Sequence, residues 1–316
     1  MSQLDLFDQT LRPDPSLFFS RGDPNDVRLG QTVQSDPACY AAARVVVLGC
    51  PQDEGVRRNG GRVGAALAPT EIRRALYRLA TDGLAALSLF DLGDTPILPS
   101  LEATHDRHEA VVRRLLDDGK VVVSLGGGND LAYPDAAALS RAASGDVLAL
   151  NVDTHYDVRA DTPRNSGTPY RQLLDAGLLD GARFVELGQQ PFANSPVYRQ
   201  YLADQGVTCW SLRDLRAAGL ASVVQGLLAE RAASAVFWGL DMDVVRVADA
   251  PGVSAPNPVG MTGDEFCLIA ELAGAEGRTR LVELTEVNPA YDVDGRTARL
   301  AAIAVYHFFA AFAASL

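Results

Sequence analysis

Short apolar runs, each closed by a Gly, Asp or Asn or by a polar turn, recur along most of the chain: residues 44–49, 87–92, 120–125, 147–152, 183–187, 207–212, 235–240 and 280–284. Each is too short for a helix and rich in Val and Leu, so all eight read as strands, and their near-continuous apolar character suits strands covered on both faces. Between most of them lie Ala/Leu/Arg stretches at helical spacing, as at 69–80, 102–118 and 215–233, and the chain closes on a further helical stretch at 296–316. Strand and helix in alternation produce a parallel sheet with helices on both faces. Residues 1–42, rich in Pro, Asp, Ser and Gly and without a sustained period, read as an irregular N-terminal extension to one α/β domain at 43–316.

Composition narrows the partners. The chain of 316 residues carries 28 Lys plus Arg against 40 Asp plus Glu, a formal charge of −12, with no basic run. That lacks the electrostatic footprint of a nucleic-acid or anionic-membrane binder. The four cysteines, Cys39, Cys50, Cys209 and Cys267, lie far apart with no C-x-x-C pair, which predicts reduced, mostly buried thiols. The N-terminal residues show no basic start followed by an apolar segment, and no stretch of about 18 uncharged apolar residues occurs, so the expected setting is cytoplasmic.

In open α/β sheets ligands bind beyond the carboxyl ends of the strands, so the polar residues that follow each run are the informative ones. The run at 147–152 is followed by Asp153, Thr154, His155, Tyr156 and Asp157, whose i, i+2, i+4 donors share one face if the backbone stays extended. The run at 235–240 is followed by Asp241, Met242 and Asp243, and the run at 120–125 by Gly126, Gly127, Gly128, Asn129 and Asp130. Four carboxylates and an imidazole at neighbouring strand ends repel one another unless cations neutralise them, and two divalent ions do so while bridging a hydroxide. Oxygen-rich ligation with one His favours a hard ion such as Mn2+. Taken alone, Asp-x-His-x-Asp is equally a polar turn with a helix cap.

Other features point nowhere specific. The glycine turn matches neither the P-loop nor the dinucleotide fingerprint, there is no G-x-S-x-G elbow, and no cysteine has an evident histidine partner. His105 and His108, at i, i+3 on a predicted helix, read as part of a solvated face, and His307, in an apolar stretch, as a packed histidine.

The strand-end series resembles the ureohydrolase superfamily of arginase, agmatinase and formimidoylglutamase over about 49–309. It is most similar to formimidoylglutamase in Gly55-Val56-Arg57-Arg58-Asn59 with Gly61-Arg62-Val63-Gly64-Ala65, in Asp157-Val158-Arg159 and in Asn165-Ser166-Gly167-Thr168-Pro169. Ala250-Pro251-Gly252-Val253-Ser254-Ala255-Pro256, Glu286-Val287-Asn288-Pro289 and Asp294-Gly295-Arg296-Thr297-Ala298 extend the match. The resemblance implies a three-layer α/β/α sandwich with a mainly parallel sheet of about eight strands, and a homo-oligomer. It implies two Mn2+ ions on Asp153, His155, Asp157, Asp241 and Asp243, with Asp153 and Asp241 bridging. Where the family has a histidine ligand in the glycine turn this chain has Asn129, so either Asn129 or water completes the pair, or the chain holds one firm ion and has lost much of its activity.

The implied reaction is attack of a metal-bridging hydroxide on a linear amidine, N-formimidoyl-L-glutamate giving L-glutamate and formamide in histidine breakdown. Asp157 orients the nucleophile and passes its proton on, while Glu286 binds the cationic head group. Arg159, Asn165, Ser166, Arg57 and Arg58, together with Arg62, are candidates for the substrate's carboxylates and amino-acid end, the arginines being equally able to brace loops. The alternatives are a ureohydrolase acting on arginine, agmatine or a guanidino acid, a metal-poor binding homologue, and a metal-dependent deacetylase.

Overall fold

A computed structural model describes residues 6–316 of the chain. All eight predicted strands form, with ends shifted by a residue or two: β1 (Val45–Gly49), β2 (Leu89–Asp94), β3 (Val121–Leu125), β4 (Val147–Val152), β5 (Phe184–Gln189), β6 (Thr208–Ser211), β7 (Ala235–Asp241) and β8 (Thr279–Thr285). They make one sheet in the order β2-β1-β3-β8-β7-β4-β5-β6, and every pairing is parallel. The chain builds both wings first, and β7 and β8 then return to fill the gap between β4 and β3.

Alternate side chains of each strand face opposite layers. Val45, Val47, Val123, Leu125, Leu148 and Leu150 enter one buried cluster, and Val46, Leu48, Val122, Val147 and Ala149 enter the other. On the first face lie α2 (Ala68–Leu76), α7 (Leu212–Ala218), α8 (Leu220–Glu230), α9 (Gly263–Ala275) and α10 (Arg296–Ala314). On the second lie α3 (Leu101–Asp117), α4 (Ala132–Ala142), α5 (Pro169–Asp175) and α6 (Pro196–Asp204). The short α1 (Glu54–Arg58) sits above the sheet after β1. This is the three-layer α/β/α sandwich expected.

The predicted single helix at 215–233 is instead two, α7 and α8. Gly219, at φ +86°, ends the first and starts the second, a conformation that side-chain-bearing residues rarely adopt. By length and composition α10 could cross a membrane, but half of it is buried against the fold.

The N-terminal arm, described from Leu6 on, includes a one-turn helix (Leu29–Thr32) and lies along β2. Leu11 exchanges backbone hydrogen bonds with Asp94, and Gln34 bonds Leu89 and Asp91.

The register sets the site. Leu125 pairs with Leu284, Leu284 with Leu240, and Leu240 with Val152, so four adjacent strands finish on one level. Gly126, Thr285, Asp241 and Asp153 are the next residues on each. The turn after β3 is clamped between neighbours: Gly126 N–H donates to Leu284 O, Glu286 N–H to Gly127 O, and Gly128 N–H to Gln52 O.

A Cβ on Gly127 would lie 1.6 Å from the Gln52 carbonyl oxygen. Gly127→Ala is therefore expected to lower stability by about 2 kcal/mol or more through forced displacement of this turn. Gly226→Ala, in open space on α8, is expected to raise it by roughly 0.5–1 kcal/mol. Denaturant midpoints of the two variants, compared at equal slope, check both signs.

Candidate metal centre

At the end of β4 the backbone does not stay extended, contrary to the expectation for Asp153 to Asp157. The Asp153 carboxylate accepts the N–H of His155 through Oδ1 at 2.7 Å, which turns the chain, and Asp157 adopts the left-handed region at φ +45°. At the end of β7 the Asp241 carboxylate likewise accepts the N–H of Asp243, at 2.8 Å. Short aspartate side chains that bond their own backbone two residues on commonly make such turns. The curled loop still gathers the donors.

Two sets of three donor atoms, each set within 4.8 Å, result: Asp153, His155 and Asp243, and Asp153, Asp157 and Asp241. Asp153 belongs to both sets, as a bridging ligand must. Asp241 belongs to one only, its Oδ1 being turned to the Asp243 N–H.

The electrostatics are those of a centre built for cations. Burial drives the Asp157 and Asp241 carboxyls well above the ordinary range, and neighbouring carboxylates add to the effect, Asp153 at Asp157 and Asp243 with Asp153 at Asp241. Asp243 is pushed up to about 6, chiefly by burial and against the pull of His155. His155 Nδ1 lies 3.2 Å from Asp243 and 3.5 Å from Asp153, and the Asp243 charge raises its pKa far above that of a free imidazole. Asp243 Oδ1 is buried without a hydrogen-bond partner. Oxygen donors that are buried, crowded and partly unpaired fit hard divalent ions.

Asn129 enters the same space, but with its nitrogen. Nδ2 donates to Asp157 at 2.5 Å and lies 3.4 Å from Asp153, while Oδ1, the atom able to ligate, accepts from Thr285 Oγ1. Ligation by Asn129 therefore requires its amide to turn over. Glu286, at φ +64°, accepts the Asn129 N–H through Oε1 at 2.7 Å, and its Oε2 is buried without a partner. Burial, foremost, lifts its pKa to about 8. Both residues expected to do catalytic work, Asp157 and Glu286, thus sit in a backbone region that costs about 1–3 kcal/mol and persists where the surroundings impose it.

A cavity of about 590 Å³ opens over these groups, lined by His155, Asp157, Asp241, Asp243 and Glu286 with Asn59, Arg62, Arg159, Ser166 and Tyr198. None of the described arm residues lines it. The expected substrate-binding arginines separate into two kinds. Neither Arg57 nor Arg58 lines the cavity: Arg57, largely exposed, pairs with Glu54 on its own helix, and Arg58 braces α1 against Glu102 of α3 and the Arg164 carbonyl. Arg62 lines it, but its guanidinium bonds the Val253 and Pro251 carbonyls and lies 4.3 Å over Tyr291. Arg159 lines it with its stem against Gly167, and among the described residues its guanidinium has no partner.

Ser166 is at the cavity wall, accepting from Asn59 Nδ2. Asn165 is behind it, its side chain accepting the Gly167 N–H. Sequence reasoning passed over Asn194, in the loop after β5 where the same strand-end rule applies, and Tyr198, which enters the cavity from α6 and carries no such signal. Asn194 bonds Thr154 and Tyr156 and so fixes the ligand loop.

Two further expectations fail. His105 and His108 are not solvated: they face inward from α3, fully buried, at 2.8 Å from Asp130 and 3.0 Å from Asp135. His307 is not packed but 42% exposed, on the outer side of α10 near Glu271.

The model of the Arginase family matches residues 43–310. The chain is 37% identical over 262 residues to the formimidoylglutamase of Nocardia farcinica, covering 81% of this chain and 83% of that one. It is 36% identical over 310 residues to that of Aeromonas hydrophila, covering 93% and 96%. The crystal structure of Trypanosoma cruzi formiminoglutamase with Mn2+ superposes with a TM-score of 0.86 at 33% identity, covering 91% of this chain and 99% of that one.

The raised carboxyls give ion-free protein a distinctive pH response. Asp243 and Glu286 hold protons in the folded state that the unfolded chain has released, so their stabilising contribution is full below the ordinary carboxylate range and is lost as pH rises through about 6 and about 8. The thermal midpoint of chelated protein is expected to fall between roughly pH 5 and 8, and divalent-ion loading to restore it most at the upper end. A chelated midpoint that climbs across that interval contradicts the assignment.

Proposed function

The chain belongs to the arginase family, and from that premise we propose that it is a formimidoylglutamase, hydrolysing N-formimidoyl-L-glutamate to L-glutamate and formamide with two Mn2+ ions. The carrying observation is the pair of three-donor sets, joined by Asp153, beside a cavity whose one unpartnered guanidinium among the described residues is Arg159. Asp153, His155, Asp157, Asp241 and Asp243 are the residues that would hold the ions. Ions bound there would neutralise the carboxylates and would supply a water ionised near neutral pH.

The chain's own groups do the rest. Asp157 takes the water's proton and delivers it to the glutamate nitrogen as the C–N bond to the formimidoyl carbon breaks, and the water oxygen leaves in formamide. Glu286 presents Oε2 to the amidinium as a charge-assisted acceptor. Arg159 meets a substrate carboxylate, a bidentate match that the braced Arg57, Arg58 and Arg62 cannot offer, and Ser166 with Asn59 contacts the amino-acid end. Asn165 shapes the wall behind them.

Free thiols at Cys39, Cys50, Cys209 and Cys267 suit a reducing, cytoplasmic setting, and the net charge of −12 suits a small-molecule substrate over nucleic acid or membrane. A step of histidine breakdown, a homo-oligomeric state, and a 43–316 metallohydrolase domain with 1–42 as its extension belong to the same proposal.

Mn2+-loaded protein is expected to release formamide and glutamate stoichiometrically from formimidoylglutamate and no urea from arginine or agmatine; absence of formamide at two ions per chain overturns the reading. Asp157→Asn is expected to lower kcat by about 10²–10⁴, and Arg159→Ala to raise KM by roughly tenfold with little change in kcat. Asn129→His, which places an imidazole donor in the turn, is expected to slow loss of the second ion on dialysis.

A further inference from the structure

The loop 159–168, which carries Arg159 and Ser166, and the turn 126–131, which carries Asn129, come from different strand ends, yet substrate and nucleophile must meet between them. One side-chain connection joins them, buried at Asp130 and His105 and half-buried at Arg164. Asp130 Oδ2 accepts from Gln52 Nε2 at 2.7 Å and lies 2.8 Å from His105 Nε2, and Arg164 Nη1 lies 3.3 Å from His105 Nδ1. A guanidinium can only donate, so His105 Nδ1 is the bare acceptor and Nε2 carries the hydrogen given to Asp130. The tautomer is fixed by its neighbours, as in sites where one ring nitrogen sets the role of the other.

Arg164 is otherwise well seated: its carbonyl accepts from Arg58 and its guanidinium lies 4.4 Å over the ring of Tyr133. It immediately precedes Asn165 and Ser166, while Asp130 immediately follows Asn129. The Asp130 carboxylate fills the space that the two glycines leave, since a Cβ on Gly55 would lie 2.0 Å from its Oδ1 and one on Gly128 2.5 Å.

We propose that His105 and Arg164 are positioning residues that hold the substrate-binding wall at a fixed distance from the metal-side turn, so that their loss weakens substrate capture and leaves the chemical step intact. This rests on the formimidoylglutamase reading for its kinetic arm only. Arg164 is half-buried at the surface, so Arg164→Met keeps a side chain over Tyr133 while removing the bond to His105. His105→Gln retains an N–H for Asp130 and removes the ring acceptor.

The experiment compares both variants and the double variant with the wild type, as Mn2+-loaded full-length protein, by formamide release, metal content and backbone hydrogen exchange. The expected result for each single variant is a KM raised by roughly tenfold, the scale of one hydrogen bond's net free energy. Unchanged kcat and metal content are expected with it, together with faster exchange of the 159–168 amides and none at 126–131. The double variant should be no worse than either single one. A fall in kcat together with metal loss, additive effects, or unchanged exchange in 159–168 overturns the proposal. If the wild type itself releases no formamide, the functional reading fails while the exchange arm still decides this one.

Discussion

Mutual repulsion among carboxylates is the constraint that the rest of the molecule answers to. A parallel register that stops four neighbouring strands on one level puts Asp153, Asp241 and the Glu286 turn side by side, and the curl after β4 adds Asp157. No sheet would retain that arrangement for its own stability, because burial forces the Asp157, Asp241 and Glu286 carboxyls toward their protonated forms. The last two strands in the chain, β7 and β8, lie between the wings and bring Asp241, Asp243 and Glu286 into the middle of the sheet. Compact packing on both faces, from Val45 to Phe309, supplies the rigidity against which this charge is held.

Much of this was readable beforehand, for definite reasons. Buried parallel strands leave unbroken apolar runs, and the residues that follow them must face the open end of the sheet, so the strands and the acidic and histidine residues beyond them could be picked out from spacing, while reading those five as metal ligands took the family resemblance. The local path of the ligand loop could not. An Asp at 153 both offers a ligand and bonds its own backbone, and only the folded chain shows that the second behaviour bends the first into place. The break at Gly219 was legible in principle, since glycine inside a helical pattern is where a helix can stop.

Partners far apart in sequence explain the remaining differences. His105 and His108 stand on a helix with charged neighbours, and the acids that receive them, Asp130 and Asp135, lie 25 and 27 residues on, beyond any helical period. The arginines show the converse. Glu54 stands three and four residues before Arg57 and Arg58, so their engagement was within reach of a helical reading, whereas Arg62 finds its carbonyls about 190 residues away. What distinguishes Arg159 is not its type or its surroundings but the absence, among the described residues, of any group that claims it.

The arm along β2 has a consequence unrelated to chemistry. A parallel sheet with free ends offers rows of unpaired N–H and C=O groups to any passing strand, and such rows template fibrous or edge-to-edge association. At one border Leu11 and Gln34 occupy those groups on β2 from within the same chain; at the other, β6 is only four residues long. The polar, proline-rich opening segment thereby acts as a guard against self-propagating assembly of an otherwise strongly apolar sheet.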